Sequence, residues 1–184
     1  MKFNKVAATL DFKMSQHDLE KHLPASPYAV GEEIADQAVA YEIENDLGYY
    51  PAVDFLKQQN IIDDDIANAI ENIAWLVSNL IREELTSRLR PAFSTVKFEN
   101  IQLHALKMPT VRPSNKNANH DLAAHYAPNH AHVSLIVTSI KNYDDPTTAE
   151  RMTKNLLHRW LNDHFDELEI TSVSYIENEE SQDE

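Results

Sequence analysis

Cysteine is absent from these 184 residues. That excludes disulfides, thiolate nucleophiles and cysteine-ligated zinc or iron–sulfur centres, and it fits a reducing compartment. Glycine is almost as scarce, with only Gly31 and Gly48. A P-loop, a dinucleotide-binding turn and a nucleophile elbow each need closely spaced glycines, because backbone must approach a phosphate or adopt strained angles. None of the three can be built here. No apolar run approaches the roughly 18 residues of a membrane-spanning helix. The segment Met1 to Met14 alternates in polarity and lacks the apolar block of a signal peptide.

Positive charge is also in short supply. Thirty acidic side chains face 16 basic ones, for a formal charge of −14, while hydrophobic residues make up 42% of the chain. The apolar content is enough for a packed core, so disorder throughout is excluded. The acidity is uneven. Residues 133–184 carry twelve acids and four bases, whereas residues 109–132 hold only Asp121 against Arg112 and Lys116. Such a surface repels nucleic acid backbone, so no direct binding to it is expected. It can instead imitate nucleic acid: Glu32, Glu33, Asp36, Glu42, Glu44 and Asp46 present a row of charges to a basic groove.

Periodicity sets out the elements. Val6, Ala8, Leu10, Phe12 and Met14 alternate with more polar neighbours, which predicts a half-buried strand. Ser15 with Asp18 predicts a short helix ending before Pro24, and Pro27 opens another whose face is Val30, Ile34, Ala38 and Tyr41. Pro51 can start a third helix ending near Asn60. Asp63, Asp64 and Asp65 put negative charge at a helix start, and Ile66, Ile70, Ile73, Val77, Leu80, Leu85 and Leu89 predict one face of a long helix stopped by Pro91. Val96 and Phe98 alternate, and Ile101 and Leu103 resume out of phase, which predicts a bulge or turn at Glu99 and Asn100. Met108 to Ala131 reads as a long polar loop. Val133 to Ile140 reads as a central strand, Asp144-Asp145-Pro146 as the start of a helix with face Met152, Leu156, Trp160 and Leu161, and Leu168 to Ile176 as a closing strand. Glu177 to Glu184 holds five acids in eight residues and reads as a solvated tail. The expectation is a single α+β domain over residues 1–176. Its sheet is mainly antiparallel with helices on a face, a helical insertion fills the N-terminal half, and the C-terminal half is compatible with a ferredoxin-like arrangement.

Histidine is the one chemistry-bearing residue that clusters. His120, His125, His130 and His132 fall within a short span, and on an extended chain His130 and His132 project to the same side, as a two-point metal chelate requires. His120 or His125, with Asp121, can supply a third ligand. No glutamate is placed to serve as a base, and a loop must be ordered at an entropic cost before it chelates. His132-Val133-Ser134-Leu135 resembles half the signature of two-histidine phosphoesterases, but the second copy is missing, since His104 is followed by Ala105 and Leu106. Trp75 and Trp160 read as core residues of apolar helical faces. No catalytic residue, metal, cofactor or small-molecule substrate is assigned.

From about Asp65 onward the order of elements resembles that of phage tail-terminator and related head-to-tail completion proteins. The resemblance runs through the long helix ending in Leu89-Arg90-Pro91, the strand material to Leu103 and the Met108-Pro109 step. It continues through the strand at His132 to Ile140, the Asp-Asp-Pro-capped helix and the strand Leu168 to Tyr175. It implies a ring subunit that caps a tail tube and meets a head connector. The expectation is therefore a non-enzymatic assembly module in the cytoplasm or a virion. It would pair with itself and with another structural protein through Arg112, Lys116, His120, His125 and His130. The alternative is an acidic inhibitor that imitates nucleic acid, and a third is a metal enzyme built on the histidine cluster.

Overall fold

The computed structural model of the chain describes residues 3–14, 44–45, 48–104 and 130–177. The helices predicted from Ser15 and Pro27, the loop residues Arg112, Lys116, His120, Asp121 and His125, and the tail after Glu177 lie outside them. Within them the order is β1 (Phe3–Lys13), α1 (Tyr49–Gln58), α2 (Asp64–Leu89), β2 (Phe93–His104), β3 (His130–Tyr143), α3 (Pro146–Leu161) and β4 (Asp166–Tyr175). The protein is α+β, with one antiparallel sheet of strand order β2-β3-β1-β4. Because neighbours are antiparallel, β1 and β2 run parallel with β3 between them, and β3 and β4 run parallel with β1 between them. These two split β-α-β crossovers make the ferredoxin-like arrangement. It needs the N-terminal strand, so it is not confined to the C-terminal half.

The chain divides into two compact units, one of Met1–Phe12, Arg82–Ile101 and His132–Glu184, the other of Lys13–Ile81 and Gln102–Ala131. In the first, Val6, Ala8, Leu10 and Phe12 of β1 and Val133, Leu135 and Val137 of β3 are buried on one face. Leu85 and Leu89 from α2 and Ala149, Leu157 and Leu161 from α3 are buried with them. Phe12 and Phe165 pack with their rings tilted by 41°, 4.2 Å between centres. Burying a side chain of this size contributes roughly 1.5–3 kcal/mol, which is why alternation alone locates the inner face. In the second unit the buried residues include Val53, Leu56, Ile62, Ala67, Ala74, Val77 and Ile81.

Local chemistry ends the helices. Asn60 takes φ of 55°, the left-handed region that Asn tolerates better than most residues. Its N–H donates to Lys57 O and the Ile61 N–H to Leu56 O, both at 3.0 Å, which closes the last turn of α1 as a Schellman cap. Asp145 caps α3: one carboxylate oxygen accepts from Thr148 N and the other from Thr148 Oγ1, each at 2.7 Å, with Pro146 in the first turn. These hydrogen bonds, the backbone one foremost, hold the Asp145 carboxyl below its ordinary value.

Three expectations are corrected. The buried stripe of α3 is Ala149, Thr153, Leu157 and Leu161, with Met152, Leu156 and Trp160 only half-buried, so the inner face is rotated from the predicted one. Trp75 is 61% exposed rather than core. The strand β3 starts at His130, inside the segment predicted as loop. The phase change at Glu99 and Asn100 is present within one continuous strand: Val96 and Phe98 are half-buried, both residues at the break are exposed, and burial resumes at Ile101 and Leu103.

Candidate interaction surface

The second face of the sheet in the first unit carries no buried row. Its residues on the two middle strands are Lys5, Ala7, Thr9 and Asp11 of β1 and His132, Ser134, Ile136 and Thr138 of β3, all half-buried, with Lys5, Asp11 and His132 at the ends of the rows. Ile140 continues the row and is 58% exposed. Small β-branched and hydroxyl side chains suit a flat pleated surface.

Hydroxyls on this face are matched to one another. Thr95 Oγ1 donates to Thr138 Oγ1 at 2.7 Å, and the adjacent Ser94 Oγ donates to Thr138 O at 3.2 Å. The opposite edge repeats the device. Ser172 Oγ donates to Thr9 Oγ1 at 2.9 Å and Thr171 Oγ1 to Thr9 O at 3.3 Å. In each case two consecutive exposed residues of an edge strand clasp one threonine of the strand beside it. On β4 the burial phase slips across that pair, from Leu168 and Ile170 to Val173 and Tyr175, the mark of a local irregularity that discourages edge pairing. Near the end of β4 the Tyr175 N–H donates to Glu150 Oε1 at 2.9 Å, so a side chain from α3 occupies a donor of that edge.

His132 and Asp11 meet across β3 and β1, with Nδ1 3.7 Å from Oδ2. The pair is charged only when the imidazole is protonated, and at this exposure it contributes little energy. Nothing in the local sequence marked Asp11 as its partner; only the outward phase of both strands does. His130 shares the outward phase of β3, as the extended-chain argument expects, and its ring lies 5.9 Å from that of His104. Among the described residues no three histidine, aspartate or glutamate side chains are grouped to hold a metal ion. No family model, curated protein or solved structure matches the chain.

The remaining polar features belong to packing. Arg88 donates from Nε to Glu84 at 3.0 Å one turn earlier and from Nη1 to His164 Nε2, which ties the end of α2 to the turn after α3. Arg82 lies over the Phe98 ring at 5.3 Å. Among the described residues no helix is long and apolar enough to cross a membrane.

Proposed function

We propose that the protein is a non-enzymatic assembly module that associates with its own copies and with a structural partner, in the manner of a viral tail-completion or connector ring subunit. The observation that carries this reading is the sheet face that, among the described residues, no helix buries. Among the described residues, the helices of the first unit bury one face of the sheet and leave the other only half-buried, with the hydroxyls of Thr9 and Thr138 each hydrogen-bonded to an edge-strand neighbour. Covering such a face strands fewer polar groups, because four edge-strand hydroxyls already donate to Thr9 and Thr138. The scarcity of glycine supports the same reading, since the backbone turns that phosphate and nucleophile chemistry need cannot be made. A cytoplasmic or virion location goes with it.

Light scattering after size exclusion, at low and at moderate salt, tests the reading. A discrete oligomer at both salts is the expected result. A clean monomer near 21.0 kDa, coupled with salt-sensitive binding to a basic nucleic-acid-handling protein, would favour the acidic-inhibitor alternative, because screening weakens such contacts steeply.

A further inference from the structure

We infer that the open face of the β2-β3-β1-β4 sheet is a two-fold interface whose occupant is the same face of a second copy. The inference rests on the assembly reading above and names the partner and the surface. Three observations lead to it.

The first is charge. The chain carries −14 in total, so two copies repel over most approaches. The centre of this face is formed by Ala7, Thr9, Ser134, Ile136 and Thr138, none of them ionisable. Exposed charges of both signs, such as Lys97, Glu99 and Glu169, stand on the two edge strands. A neutral centre with a charged rim is how specific interfaces are laid out.

The second is self-complementarity. Along β1 the outward row reads Lys5, Ala7, Thr9, Asp11. A two-fold axis between Ala7 and Thr9 lays one β1 antiparallel over the other. It then brings Lys5 of each copy to Asp11 of its mate and Ala7 to Thr9. Sheets stacked face to face lie about 10 Å apart and within about 30° of alignment, and a lysine side chain spans the resulting offset. An isologous contact requires such a palindromic pattern. Asp11 keeps His132 beside it in the same copy.

The third is size. Four strands, overlapping for about eight residues, present about 500 Å² of plane per copy. Two copies together reach about 1,000 Å², the lower bound for a specific interface. The expected dimer is reversible. A ring would need a second, head-to-tail contact, so this face supplies the pairing step of an even-numbered assembly.

Sedimentation velocity of the full chain over a range of concentrations tests the interface, with Lys5→Glu, Asp11→Lys, their combination and Thr9→Arg. The wild type should shift reversibly to twice the 21.0 kDa chain mass. Each single charge reversal should raise the dissociation constant about tenfold, because two attractive pairs per dimer become repulsive. The combined reversal should restore it to within a few fold. Thr9→Arg, a bulky charge at the axis, should leave only monomer. A misfolded single variant would not be rescued by a second substitution, so the combined variant separates interface loss from fold loss. A wild type that self-associates while every variant keeps its mass would overturn the interface and leave the assembly reading standing. A wild type that stays monomeric at all concentrations would overturn this interface and self-association with it.

Discussion

Single side chains in the first unit show two fates of a hydroxyl, buried without a partner and half-buried with one. Thr153 is fully buried on α3 and its Oγ1 meets no hydrogen-bond partner, whereas the hydroxyls of Thr9 and Thr138 are paired. A buried hydroxyl without a partner bears its desolvation cost with no return. Thr153→Val keeps the shape and removes that cost, so the variant should be more stable by about 1 kcal/mol; denaturant unfolding midpoints check it, and a loss of stability would show that the hydroxyl is satisfied in solution. Asn60 supplies the opposite case. Its left-handed backbone makes Asn60→Val unfavourable by about 1–2 kcal/mol, while Asn60→Gly should be neutral or stabilising, a difference that the same unfolding curves resolve. Asp145 adds a pH signature. Its folded-state titration lies below the unfolded one, so its contribution is present above the ordinary carboxylate range and is lost as pH falls through the folded value. Asp145→Ala should lower the melting temperature by a few degrees at neutral pH and by less in strong acid; an equal loss at both would remove the cap as the cause.

At the level of elements, α2 shows what periodicity can and cannot resolve. The helix itself was legible from its acidic start, its apolar spacing and Pro91, and it runs Asp64–Leu89. Its inner face was legible only in part. Val77, Leu85 and Leu89 are buried as predicted, but Ala67, Ala74 and Ile81 complete the stripe and Leu80 is half-buried; the side chains of Ile66, Ile70 and Ile73 lie outside the described residues. An apolar band wider than the contact leaves a choice of faces, and small residues win where elements approach closely. The same choice governs α3, where Ala149 and Thr153 sit inside and the larger Met152 and Trp160 remain at the margin. Leu85→Ala should therefore cost about 2–5 kcal/mol. Trp75→Ala, despite the larger truncation, should change stability by no more than about 0.5 kcal/mol, as surface substitutions do. Thermal unfolding of the two variants side by side tests the exposed place of Trp75, because a core Trp75 would make its loss as large as that of Leu85.

For the whole molecule, the charge of −14 is a term that no single contact removes. Like charges oppose compaction, and salt screens them with a Debye length of about 30 Å at 0.01 M and about 8 Å at 0.15 M. The melting temperature should rise between those salt concentrations, and a fall would mean that attractive ion pairs outweigh the repulsion. Composition, the β1 alternation, the approximate extents of α1, α2 and α3 and the α+β class follow from the chain alone, because capping, periodicity and burial of alternate residues act over a few neighbouring positions. The strand order does not. That β1 lies between β3 and β4, that Asp11 meets His132, and that the hydroxyls of two edge strands clasp Thr9 and Thr138 are long-range pairings. Local signals carry no register between residues 43 to 163 positions apart; among the described residues, only the packing of α3 and the end of α2 on the first unit's sheet selects which face is buried.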